Sequence, residues 1–158
     1  MSPARAAFTL LEICLTLAIG VVLILLAVPS VSGLLAGQRL HESYDRFEQF
    51  ANGARSRSLR EQKPFLLYWE KDGIALLSAA RDMHGERTVV DRLNFAKDEV
   101  FALERPAALM KKPPEEWYFW PSGVCEPVIV SYKGHGGSWR VSFNPLTSHG
   151  TFLDSEAL

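Results

Sequence analysis

The sequence predicts an α+β protein: one long N-terminal helix, a membrane half followed by an amphipathic half, packed on an antiparallel β-sheet or sandwich head. Three observations predict it. Residues 8–28 are apolar apart from Glu12 and two threonines; a helical stripe of apolar and small residues follows; and the remainder alternates in short apolar segments broken by glycine and proline. A chain of 158 residues has room for one domain plus an anchor.

The apolar run comes first. As a helix it spans about 31 Å, which matches a bilayer core of about 30 Å. Arg5 precedes the run and the next cation, Arg39, lies well beyond it, so the positive-inside rule places the N-terminus in the cytoplasm. Overall composition is otherwise ordinary: 47% hydrophobic, 22% charged, mean hydropathy +0.01, with the apolar excess concentrated in this run. The formal net charge of −1 gives no field that selects nucleic acid or anionic lipid. Of the 2 cysteines, Cys14 lies in the run and Cys125 far outside it, so a disulfide is not the stabilising device and the core must hold the head together.

Glu12 sets this run apart from a plain signal or anchor. An ordinary signal peptide has a shorter apolar core followed by a small-residue cleavage site, which Ala27 to Ser32 imitates only loosely. A comparable acid costs about 2.5 kcal/mol or more at mid-membrane, and less near the interface, so it needs a partner. A cut between Ala7 and Phe8 would supply one. The new amine on Phe8 would stand one helical turn from Glu12 on the same face. The pair could form within a chain or between neighbours, where it would also set axial register.

The residues Ala7/Phe8-Thr9-Leu10-Leu11-Glu12 and the apolar stretch after them resemble the cleavage and methylation motif of type IV prepilins and type II secretion pseudopilins. The resemblance implies that a prepilin peptidase cuts before Phe8 and N-methylates it. It implies that Glu12 helps recruit the subunit into a filament, and that Pro29 marks the bend or local melting that ends the membrane segment. Arg5 fits a short basic leader. Two departures stand out: Ala7 occupies the position where the family usually has Gly, and Gly20 falls one place early. The expected segments are a leader at 1–7, a transmembrane segment at 8–29, an amphipathic continuation at 30–62 and a β-rich periplasmic head at 63–158.

Beyond the membrane half, Leu40, Tyr44, Phe47, Ala51, Ala54 and Ser58 recur at helical spacing, with Glu42, Asp45, Arg46 and Glu48 on the other sides. Pro29, Gly33 and Gly37 favour a bend or local unwinding, and Pro64 closes the helix. Phe65-Leu66-Leu67-Tyr68-Trp69 reads as a buried strand, with Ile74-Ala75-Leu76-Leu77 as its hairpin mate across Lys71-Asp72-Gly73. Weaker strands are expected at residues 88–95 and 100–103, and a strongly β segment at Trp117-Tyr118-Phe119-Trp120. The clearest hairpin alternates through Val128, Val130 and Tyr132, turns at Gly134-His135-Gly136-Gly137, and returns through Trp139, Val141 and Phe143. Lys111-Lys112-Pro113-Pro114 reads as a loop. Stalk and head together are a pilin-like plan, similar to H-type, FimT-like minor pseudopilins. The shared features are residues 54–60 leading into a strand, a corner at Trp69 to Gly73, and a closing strand that runs into Asn144-Pro145-Leu146-Thr147. The family's usual Gly after that Thr is absent, and Ser148-His149-Gly150 stands in its place.

Little else carries chemistry. The 4 histidines are scattered and none has metal-ligand spacing with Cys125. Asp154 and Glu156 lack a dense oxygen-ligand pattern, Ser122 sits in a turn, and Cys125 reads as a small buried residue. The cluster Arg55, Arg57, Arg60 and Lys63 could meet DNA phosphates. No aromatic platform is interleaved with it, and a solvated helix end with cations at the C-terminal dipole accounts for it more simply. No enzyme, cofactor or metal is expected. The expected role is a structural minor subunit of a type II secretion pseudopilus or type IV pilus-like filament, with a DNA-binding minor pilin of a DNA-uptake system as the alternative. The resemblance implies as partners other pilin-like subunits, a prepilin peptidase, an inner-membrane assembly platform and, before assembly, membrane lipid; nucleic acid is not expected. It also implies a single pass through a bacterial inner membrane, N-terminus cytoplasmic and head periplasmic.

Overall fold

The computed structural model describes residues 9–105 and 115–157, and within the long helix it does not describe the side chains of residues 25–34. Ala7, Phe8, the leader and the expected Lys111–Pro114 loop lie outside the described residues. The chain divides into two compact units, Met1–Leu35 and Ala36–Leu158.

Helix α1, Leu10–Glu61, belongs to both units. In the first unit its described side chains from Leu10 to Ile24 are exposed along almost their whole length, with Leu10 82% and Leu17 65% accessible. Thr16 Oγ1 donates to Ile13 O at 2.9 Å, so its hydroxyl is satisfied by the helix itself. This described part of the apolar run is shorter than the roughly 20 residues a crossing needs. Among the described residues no helix is long and apolar enough to cross a membrane. Helical structure continues through Pro29, Gly33 and Gly37.

In the second unit the predicted stripe is the buried face of α1. Phe47, Ala51, Ala54 and Ser58 are fully buried, and Tyr44 and Leu40 nearly so. The helix stops at Glu61. Gln62 takes a left-handed φ of 52°, its side-chain amide donates to Leu59 O at 2.7 Å, and Pro64 prevents a restart.

The head is a sandwich of two antiparallel sheets. Strands β1 (Phe65–Glu70), β2 (Gly73–Arg81), β3 (Arg87–Asn94) and β5 (Glu116–Phe119) form one in the order β3-β2-β1-β5. Strands β4 (Val100–Glu104), β6 (Val128–Gly134), β7 (Gly137–Phe143) and β8 (Gly150–Ala157) form the other in the order β4-β6-β7-β8. Both predicted hairpins are present, with Leu67 opposite Leu76 and Val130 opposite Val141. One element is a correction: β7 is not the closing strand. After Asn144-Pro145-Leu146-Thr147 the chain turns back as β8, an edge strand that pairs Gly150 with Phe143 and carries a bulge opposite Arg140 and Val141. Its faces are exposed after Gly150, so it lacks the apolar alternation that marks a half-buried strand.

Phe47 joins the layers. Its ring lies within 5.6 Å to 6.4 Å of Trp69 and Trp117 from the first sheet and of Phe101, Trp139 and Phe143 from the second. Two of the buried indoles are satisfied: Trp139 Nε1 donates to Ser43 Oγ at 2.8 Å and Trp117 Nε1 to Glu126 O at 2.9 Å, whereas the buried Trp69 Nε1 has no hydrogen-bond partner. The β6–β7 turn lies flush on the helix backbone. A Cβ at Gly136 would stand 2.9 Å from Ala36 O, and Gly137 has a φ of 127°, open to glycine but not to a side chain.

Candidate assembly surfaces

The N-terminal candidate is built on Thr9 and Glu12. Thr9 precedes the first helical residue, and its Oγ1 accepts from Glu12 N–H at 3.3 Å. Thr9-Leu10-Leu11-Glu12 is therefore the spacing of a capping box, with Thr9 at the N-cap and Glu12 at the third helical position. A carboxylate here also complements the positive end of the helix dipole. The Thr-x-x-Glu spacing was readable in the sequence as a helix start. Around it Leu10, Leu11, Ile13, Leu15 and Leu17 are all at least half exposed, a contiguous apolar surface in an isolated chain.

The basic cluster is not gathered into one surface. Arg55 turns inward: its Nε donates to Gly123 O at 2.8 Å and its Nη2 to Leu146 O at 3.2 Å, tying α1 to two loops of the head. Arg57 lies 3.4 Å from Glu61. Arg60 is exposed and shares a groove with Arg57 and Asp91.

After Thr147, Ser148 adopts a conformation that glycine would favour. Its φ is 55°, it is fully buried, and its Oγ donates to Cys125 Sγ at 3.4 Å. Burial pushes the Cys125 thiol pKa up, against the pull of Ser148, and so disfavours its thiolate form. Ser148→Val is expected to destabilise the head by about 2 kcal/mol, because a β-branched side chain tolerates a left-handed backbone poorly and the hydroxyl bond is lost. Ser148→Gly is expected to be near neutral, with backbone relief offsetting the lost bond. Urea midpoints of the full chain in detergent check both.

A polar cluster at the other end of the sandwich was not legible in the sequence. Glu99 Oε2 accepts from Arg46 Nη2 at 2.6 Å and from Ala96 N–H at 2.7 Å, and Oε1 accepts from Tyr132 O–H at 3.1 Å. Burial alone would raise the Glu99 pKa, but the Ala96, Arg46 and Tyr132 bonds outweigh it and hold the pKa below its ordinary value. A carboxylate with a lowered folded-state pKa contributes stability above its unfolded value of about 4.3 and loses it as pH falls through the folded value. Thermal midpoints are therefore expected to fall on acidification below that point, and less steeply in Glu99→Gln. Across the helix, Glu48 Oε1 accepts from Tyr44 O–H at 2.9 Å and lies 3.2 Å from His149 Nδ1, holding the β7–β8 turn to α1. Among the described residues no group of three His, Cys, Asp or Glu could hold a metal ion.

No protein-family model matches the chain, and no curated protein matches it by sequence. Solved structures do match. The minor pseudopilin EpsH from the type 2 secretion system of Vibrio cholerae is similar with a TM-score of 0.53 at 16% identity, over 75% of this chain and 96% of that one. The type IV minor pilin FimU of Pseudomonas aeruginosa strain PAO1 is similar with a TM-score of 0.54 at 10% identity, over 75% of this chain and 93% of that one. A second crystal form of FimU gives 0.50 at 10% identity, over 74% and 97%. At these identities the likeness is one of fold: a helix packed on antiparallel sheets, as in a minor pseudopilin and a minor pilin.

Proposed function

We propose that this chain is a minor subunit of a type II secretion pseudopilus or a related type IV pilus-like filament. The observation that carries the reading is the conjunction of a pilin-like head with a helix start at Thr9 that presents Glu12 among exposed apolar residues. The precursor is cut between Ala7 and Phe8 and methylated on Phe8 by a prepilin peptidase. Before assembly the apolar half of α1, with Pro29 as its bend, sits in the inner-membrane lipid with the head in the periplasm. An assembly platform then moves it into the filament, where that apolar half packs against other subunits. An acid in an apolar seam requires a counter-charge, and the amine of Phe8 supplies it.

Lysine-reactive cross-linking of cell envelopes tests the reading. Adducts between the full chain and other pilin-like subunits are expected; a chain that cross-links to none of them sinks it. DNA capture has less support, because Arg55 spends its donors on Gly123 and Leu146 and Arg57 faces Glu61. A gel shift with the full chain in detergent is expected to show no salt-sensitive DNA binding.

A further inference from the structure

Beside the Glu99 cluster a cleft of about 340 Å³ opens between α1 and two loops, the β3–β4 connection and the β6–β7 turn. Its floor is fully engaged. Glu99 accepts from Arg46, Ala96 and Tyr132, and Ser43 Oγ accepts from Trp139 and donates to Leu40 O at 2.7 Å. His135 on the wall lies 3.1 Å from Asp98. Its free charges are Arg39, Lys97 and Glu42: among the described residues none of the three has an ion-pair partner. Donors therefore outnumber acceptors here, since guanidinium and ammonium groups only donate. The complementary visitor is an anion with two acceptor oxygens and a single charge, because Glu42 and Glu99 would repel a dianionic phosphate more strongly than a carboxylate.

We propose that this cleft receives the carboxylate of an Asp or Glu side chain from a neighbouring filament subunit, held between Arg39 and Lys97. The inference rests on the filament reading and deepens it by naming a contact on the head. Such rim charges fix orientation and partner choice more than affinity, so the site would set how the head is turned in the filament. The volume suits an entering side chain, at the small end of ligand-sized pockets.

The test is zero-length carbodiimide coupling in envelopes of cells making the full chain, since the reagent joins an amine to a carboxylate only where they touch. A Lys97 adduct to an Asp or Glu of another subunit is expected by mass spectrometry. It should vanish in Lys97→Arg and persist in Lys71→Arg, whose lysine lies in the exposed β1–β2 turn. Arg39→Glu combined with Lys97→Glu is expected to lower filament incorporation about tenfold. A chain that cross-links to other subunits through other lysines but never through Lys97 overturns this inference and leaves the filament reading standing. So does coupling of Lys97 only to its own Glu42, or to a lipid phosphate. A chain that forms no adduct with another subunit through any lysine overturns both.

Discussion

Replacing Phe47 with alanine is expected to destabilise the head by about 3–5 kcal/mol, the usual cost of removing a fully buried aromatic ring. The position argues for the upper half of that range. Phe47 is fully buried and its ring meets five others, drawn from both sheets. No single neighbour can fill the space, because each of the five is itself fixed on a strand. Domains of this size are stable by about 5–15 kcal/mol, so the loss is a large part of the total. Phe47→Leu keeps most of the volume and is expected to cost less than half as much. Urea denaturation of the full chain in detergent, followed by tryptophan fluorescence, reports the difference directly because Trp69, Trp117 and Trp139 surround the site. An unchanged midpoint in Phe47→Ala would mean that the helix does not knit the two sheets.

The second large effect is functional. Glu12→Ala and Glu12→Gln are both expected to reduce filament incorporation roughly a hundredfold or more, while the urea midpoint of the head stays at the wild-type value. The magnitude follows from leaving the Phe8 amine uncompensated in an apolar seam, a cost of about 3–5 kcal/mol for a broken buried pair. The pair of variants separates two roles. Gln can still serve a capping box, which is worth about 1 kcal/mol, but it cannot neutralise an amine. Near-normal incorporation of Glu12→Gln alongside failure of Glu12→Ala would assign Glu12 to capping alone. The readout is the ratio of chain recovered in sheared filaments to chain left in the membrane.

Much of the fold was readable before any coordinates because burial imposes a period. The positions Leu40, Tyr44, Phe47, Ala51, Ala54 and Ser58 face one side of a helix only if that side is covered, and all six are buried. The Val128–Phe143 hairpin alternates because one of its faces is core and the other is not. Strand β8 escaped because its contribution is backbone pairing at an edge, and its side chains after Gly150 answer to solvent. The Ser148 conformation gave no periodic signal, and the Cys125 thiol that its hydroxyl meets is remote in sequence. The charged cleft was invisible for the same reason. Arg39, Lys97 and Tyr132 come from three separate segments, and only the packing of α1 on the two loops brings them together. The N-terminal candidate was the most legible, since Thr9 and Glu12 act through one turn of helix.

Filament entry as proposed requires a new amine at the start of the apolar run. Intact-mass and N-terminal peptide mass spectrometry of the chain purified from its native host decides it. A mature chain that begins at Phe8 and carries one methyl group on its amine is the predicted result, and it would also show that Ala7 supports cleavage. A chain that retains residues 1–7, or one that begins near Ser30, would contradict it.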